Sequence, residues 1–214
     1  MLAHMHPLLG RVWWIGGAPC SGKSTLAAAL AARLGARLYV CDEEFERHAA
    51  DVSVERGPTL KKVTSISVDD RLAQPLGIQV ADVFRLYREA WPQLLEDLSG
   101  MEGTIVAEGA ALLPELLLES GVPPDRAVWI VPTESFQRAH YARRGWAQEL
   151  VELTSDPVAA FESWMQRDAQ FATLITTQAG EAGYSVLVTK DETPITVQQA
   201  ELDAILGTIR PSTI

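Results

Sequence analysis

The chain has 214 residues, 47% hydrophobic and 21% charged, with a formal net charge of −10. That length suits one α/β domain with a sizeable core, and no apolar run approaches a membrane span. The acidic balance, with basic residues adjacent only at Lys61-Lys62 and Arg143-Arg144, argues against a nucleic-acid-binding face.

Two cysteines, Cys20 and Cys41, do not make a disulfide framework. Met1 to Gly10 carries no basic region ahead of a long apolar segment, so no signal peptide is expected and a cytoplasmic location is the default. No repeat, low-complexity segment or histidine metal-ligand spacing is present, and no sequence feature specifies an oligomeric state.

Residues 11–16, around Val12-Trp13-Trp14-Ile15, read as a first strand. The loop over 17–24 follows with the spacing G-x-x-x-x-G-K-[ST] in Gly17, Gly22, Lys23 and Ser24. An Ala/Leu-rich helix over 24–34 comes next, and Gly35 suits its C-terminal end. Strand, glycine loop and helix in that order are the context that a phosphate-binding loop requires; the alternative is a glycine-rich turn that binds nothing. Backbone N–H groups of such a loop form a nest for phosphate oxygens, and the helix N-terminus adds partial positive charge. Glycine at 17 and 22 lets the backbone curl without a Cβ in the way. The expected nucleotide-binding set is Gly17, Ala18, Pro19, Cys20, Ser21, Gly22, Lys23, Ser24 and Thr25, with Lys23 reaching the β- and γ-phosphates and Ser24 holding Mg²⁺.

Residues 36–41 are a short second strand, running straight into an acidic helical segment over 42–48. Residues 51–77 read as a mobile or loosely helical insertion. Residues 78–99 repeat at helical period, with Pro92 expected to bend or divide the helix. A third strand covers 104–107, a short helix 110–119 and a fourth strand 127–131. Thr133 is a predicted N-cap for the next helix, which Gly145 interrupts. Asp156 and Pro157 open a long helix to about 179, followed by a fifth strand over 184–188 and a last helix over about 196–209. Alternating strands and helices imply a doubly wound parallel sheet, in which ligands sit beyond the carboxyl ends of the strands. Asp42 and Glu108 stand at two of those ends. Either could orient reacting groups or a metal; either could also serve only as a helix N-terminal acid.

With these elements the chain resembles the P-loop kinases related to nucleoside monophosphate kinases, a group that includes shikimate, gluconate and uridine kinases. The resemblance implies a P-loop NTPase three-layer sandwich with sheet order 2-3-1-4-5. It also implies an acceptor-binding insertion at about 42–100 and an Arg-bearing lid at about 133–156, all within one domain. Asp42-Glu43-Glu44-Phe45-Glu46 is similar to the D-x-x-I-E pattern of shikimate kinases, which makes Asp42 the acceptor-hydroxyl residue. Asp69-Asp70-Arg71 resembles the D-D-R segment of gluconate kinases, which makes Arg71 an acceptor ligand; a solvated charge cluster is the other reading. Arg47 is a further acceptor candidate. Glu108-Gly109 resembles the strand-end pair of uridine-kinase-like enzymes and makes Glu108 an Mg²⁺ residue. Among Arg138, Arg143 and Arg144, the preferred lid arginines are Arg143 and Arg144; Arg167 reads as structural. Thr189-Lys190-Asp191-Glu192 misses the T-K-x-D guanine signature at its last position, which disfavours a GTPase.

The expected activity is therefore ATP- and Mg²⁺-dependent transfer of the γ-phosphoryl group to a hydroxyl or phosphate of a small molecule. Catalysis would rest on Lys23, Asp42, Arg143 and Arg144. The alternatives are an ATP-hydrolysing regulatory switch and, disfavoured by the acidic balance, a nucleic-acid-end kinase. Cys20 and Cys41 would lie at strand ends about 10 Å apart, given the usual strand spacing, too far for a relaxed disulfide. Cys20, inside the loop, is expected to be sensitive to alkylation or oxidation.

Overall fold

The computed structural model describes residues 9–191 and 193–208. The expectations that touch Met1 to Leu8 and Glu192 lie outside the described residues, and the last helix, expected to run to about 209, ends at Ile205. Among the described residues, no helix is long and apolar enough to cross a membrane.

Five parallel strands form one sheet: β1 (Val12–Gly17), β2 (Arg37–Val40), β3 (Ile105–Glu108), β4 (Ala127–Pro132) and β5 (Ser185–Thr189). Their order is β2-β3-β1-β4-β5, as the resemblance implied. The three central strands are almost continuously apolar because helices cover both faces. Trp14, Ala107 and Trp129 point to one face and Ile15, Val106 and Val128 to the other. On the first face lie α5 (Leu76–Gly100), α6 (Pro114–Glu119) and α9 (Pro157–Glu181), which bring Trp91, Leu94, Leu117, Phe171 and Ile175 into the larger core. On the second lie α1 (Lys23–Leu34) and α10 (Ile195–Ile205), through Leu26, Leu30 and Leu202.

Local signals place the helix ends. Gly35 takes the left-handed conformation at φ 61° and returns its N–H toward Ala31 and Ala32. Asp156 accepts from the Ala159 N–H at 3.0 Å, and Pro157 occupies the first turn of α9. Thr133 accepts from the Phe136 N–H at the start of α7 (Glu134–Tyr141). The helix is interrupted over 142–144, and Gly145, expected to interrupt it, instead opens α8 (Gly145–Glu152).

The insertion departs from expectation. After α2 (Phe45–Asp51), residues 51–77 hold two further helices, α3 (Pro58–Ser65) and α4 (Val68–Leu72). The start of α3 is capped from a distance: Glu89 of α5 accepts from the N–H groups of Thr59 and Leu60, at 3.1 and 2.7 Å. Leu60, Val63, Leu86 and Ala90 then close a small core between α3 and α5. Pro92 neither ends nor divides α5, which runs through it. The helix after β3 begins four residues late, because Pro114 suits its first turn and 109–113 is a loop.

Candidate active site

Gly17 ends β1 at φ 141°, where a Cβ would lie 1.9 Å from the Ile130 carbonyl oxygen. Only glycine lets the chain leave the sheet here. The Ala18 N–H donates to that same carbonyl at 3.1 Å. Cys20, at φ 59°, is the one non-glycine residue with positive φ among the described residues, and Gly22 follows at φ 81° to start α1. Two side chains brace the loop from outside. Gln137 of α7 donates to the Pro19 carbonyl at 3.1 Å, and Thr189 at the end of β5 donates to the Ser21 carbonyl at 2.7 Å. The Ser21 hydroxyl is buried without a partner.

Lys23 opens α1 and is 5% exposed. Glu108 ends β3, in register with Ile15 and Val40, and is 1% exposed. Lys23 Nζ lies 4.0 Å from Glu108 Oε2, and neither Glu108 oxygen has a hydrogen-bond partner. Burial pushes the Glu108 carboxyl upward, and the Lys23 charge offsets that only in part. A buried carboxylate with both oxygens unpartnered is costly unless a cation, or water bound to one, completes it. A glycine-cradled loop, a shielded lysine and that orphaned carboxylate fit a Mg²⁺–nucleoside triphosphate. The loop amides and Lys23 would hold phosphate, and Ser24 with Glu108 would hold the metal, which keeps several waters in such sites. Gly109 tightens the arrangement: a Cβ there would lie 2.5 Å from the Cys41 Cβ, so β3 and β2 end in contact just before Asp42.

One cavity of about 470 Å³ runs from this loop into the insertion. Its lining includes Pro19 to Thr25 at one end, and Asp42, Arg71, Tyr87, Arg144 and Arg167 farther along. Asp42 lies in the short turn Cys41–Glu43 that follows β2 and is exposed to the cavity. Arg71, on α4, has no ion-pair partner among the described residues; its Nε is buried and unpartnered, and burial together with the Arg167 charge depresses its pKa. Arg167, on α9, is paired with Asp168 at 2.7 Å. Asp168 also accepts from Tyr141 and Trp164. Arg144 reaches the cavity beside the rings of Tyr141 and Trp146.

Two expected site residues stand elsewhere. Arg47 is exposed on the outer side of α2, held by Glu44 at 2.7 Å and Asp97 at 2.6 Å, and does not line the cavity. It faces outward because the Asp97 carboxylate, which also takes Tyr39 and His48, gathers it there. Arg143 lies in the break between α7 and α8, exposed and outside the cavity, while its neighbour Arg144 turns inward. Arg138 is bound to Glu162 by two hydrogen bonds. Cys20 lines the cavity, yet it is 8% exposed and burial pushes its thiol upward, which opposes the reactivity expected of it. Cys20 and Cys41 are both free.

Tyr87, Gln79 and Asp82 line the cavity without having been expected there, and Arg167, read mainly as structural, lines it too while paired with Asp168. Asp168 carried the available signal: a carboxylate on the buried stripe of α9 with Trp164, Phe171 and Ile175 needs a cation beside it.

No family model matches the chain, and neither does any curated protein. Its fold is similar to solved shikimate kinases. Shikimate kinase from Acinetobacter baumannii in complex with shikimate superimposes with a TM-score of 0.52 at 16% identity, over 92% of this chain and 93% of that one. Shikimate kinase from Bacteroides thetaiotaomicron gives 0.53 at 12% identity, over 92% and 98%. The fold is thus that of shikimate-kinase-like P-loop kinases.

Proposed function

We propose that this chain is an ATP-dependent phosphotransferase acting on a small hydroxylated, anionic molecule. The observation that carries this reading is the continuity of one cavity. A phosphate-loop floor and a chamber containing a free carboxylate, Asp42, and a guanidinium without an acidic partner, Arg71, share the same space. A hydrolytic switch has no need of that second chamber.

In this reading the loop amides, Lys23 and Arg144 neutralise charge on the transferring group, and Ser24 and Glu108 would hold Mg²⁺, which would supply further screening of phosphate charge. Asp42 orients the acceptor hydroxyl and takes its proton as the acceptor oxygen bonds to phosphorus and the bond to the ADP oxygen breaks. Arg71 fixes an anionic group of the acceptor, since a buried guanidinium beside Arg167 is costly until an anion joins it. The shikimate bound in the A. baumannii enzyme is of this broad kind.

The test is ADP release with a metabolite panel spanning sugar acids, nucleosides, nucleoside monophosphates and aminoglycoside-like alcohols. One class should stimulate release strongly. Slow release that no acceptor changes, with partner binding that differs between ATP and ADP, would replace the reading with a switch. Steeply salt-dependent binding to an oligonucleotide would point to nucleic-acid ends.

A further inference from the structure

The acceptor chamber has a sorted lining, and the sorting restricts what fits. Apolar side chains contributed by the insertion line it: Phe45 of α2, Val63 of α3, and Val83 and Leu86 of α5, with the ring of Tyr87. Several of the polar side chains along the chamber are already occupied. Asp82 accepts from Lys62 at 2.6 Å and from Arg85 at 3.4 Å. The Gln79 amide donates to the Gln74 carbonyl and to Ser163, both at 2.8 Å, while its own oxygen is buried without a partner. Turning that amide over would set its oxygen against the Leu72 and Gln74 carbonyls, so its orientation is fixed. Arg167 is committed to Asp168.

Among the described residues, Asp42, Arg71, Arg144, the Gln79 amide oxygen and the Tyr87 hydroxyl line the cavity without a side-chain hydrogen-bond or ion-pair partner. The Tyr87 ring packs on Phe171, 6.0 Å between centroids.

We infer that the acceptor is amphipathic, a molecule with one hydroxyl, one anionic group and an apolar or aromatic body, and not a polyol. This rests on the phosphotransferase reading of the same cavity. A polyol would lose water from hydroxyls that the Phe45, Val63, Val83 and Leu86 side chains cannot bond, at a cost of about 1–3 kcal/mol for each unmade hydrogen bond. An apolar body removes exposed hydrocarbon from water on both sides of the contact. Asp42 takes the reacting hydroxyl and Arg71 the anion, and the Tyr87 hydroxyl can donate to a further oxygen of the acceptor.

The experiment compares three hydroxy acids of equal charge on the full chain with saturating Mg²⁺: 3-phenyllactate, lactate and gluconate. Binding is measured by calorimetry with a non-hydrolysable ATP analogue, and transfer by ADP release with ATP. 3-Phenyllactate should exceed lactate by about 10- to 100-fold in both measurements, the value of burying one aromatic side-chain equivalent. Gluconate should be no better than lactate. Val83→Thr, which conserves volume on a half-buried position, should weaken 3-phenyllactate by about 3- to 10-fold, and by more than it weakens lactate. Its melting temperature checks that the variant folds, and the three-acid comparison on the native chain stands without it. Gluconate bound or turned over better than 3-phenyllactate overturns the inference and leaves the phosphotransferase reading standing. Tight binding of 3-phenyllactate, with no transfer to any alcohol, supports the inference and sinks the phosphotransferase reading. Failure of all three acids to bind overturns the inference.

Discussion

Lys23 Nζ stands 4.0 Å from Glu108 Oε2, with both side chains almost wholly buried and no hydrogen bond between them. The charges attract, yet the gap leaves each free to turn toward a third group. Replacing Glu108 by glutamine keeps the shape and removes the negative charge. Glu108→Gln should lower kcat by roughly 100-fold, the scale of one preorganised electrostatic contact, and raise the Mg²⁺ concentration needed for half-maximal rate. Nucleotide binding without Mg²⁺ should be unchanged or tighter, because Lys23 loses its competing partner. A Mg²⁺ titration of initial rates reads this, and an unaltered Mg²⁺ requirement would remove Glu108 from the metal site.

Asp42 has a separable role. Asp42→Ala should abolish most acceptor phosphorylation while the dissociation constant for ATP changes less than about 2-fold, since the residue lies beyond the phosphate loop in the shared cavity. Nucleotide fluorescence and ADP release together check it. Retained transfer would reject Asp42 as the residue that takes the proton.

Adjacent arginines should behave differently. Arg144 lines the cavity and Arg143 does not. Arg144→Ala should cost roughly 10- to 1000-fold in kcat/KM, whereas Arg143→Ala should stay within about 2-fold. Steady-state kinetics on the two single variants decide the matter; equal losses would mean that the break over 142–144 rearranges on closure.

Glycine positions in the loop should also separate. Gly17→Ala places a methyl group 1.9 Å from a backbone oxygen, so β1 and β4 must part. A loss of about 3 kcal/mol or more and of nucleotide binding is expected. At Gly22 a Cβ meets nothing within 4 Å, and only the left-handed backbone is penalised, at about 1–2 kcal/mol. Thermal melts of the two alanine variants should rank them in that order.

Asp97 links stability to pH. Burial works to raise its carboxyl, but the donors from Tyr39, Arg47 and His48 outweigh that and hold its pKa below the ordinary 3.8. The folded state therefore favours the carboxylate more than the unfolded chain does. The stabilisation is fully present above the unfolded value and is lost as pH falls through the folded one. Asp97→Asn should cost about 1.5–3 kcal/mol at neutral pH, with the gap from the native chain narrowing as pH drops below 3.8. Melting curves from pH 7 to pH 2.5 would show it; a constant gap would mean that the network acts through packing alone.

Elements with strong local signals were legible from the residues. The phosphate loop, the five strands, and the caps at Gly35, Thr133 and Asp156 all depend on neighbours in sequence. The 51–77 segment was not legible, for a physical reason. Helices of eight and five residues are too short to display a period, and the first is capped by Glu89, thirty residues away. The outward turn of Arg47 and the cavity-lining position of Arg167 were hidden on similar grounds. Which way an arginine turns depended on carboxylates from other elements or from the buried face, Asp97 for one and Asp168 for the other.

The two braces on the phosphate loop have an effect on its polarity. With the Pro19 oxygen engaged by Gln137 and the Ser21 oxygen by Thr189, two of the loop's negative dipole ends are anchored away from the hollow. The interior is thereby biased toward donors before any anion arrives, and the reorganisation that binding would otherwise require is already complete. Gln137 belongs to α7, a helix distant in sequence from the loop it steadies. Loss of that one amide should thus blur the loop's discrimination between anions and water without touching a residue that meets the ligand.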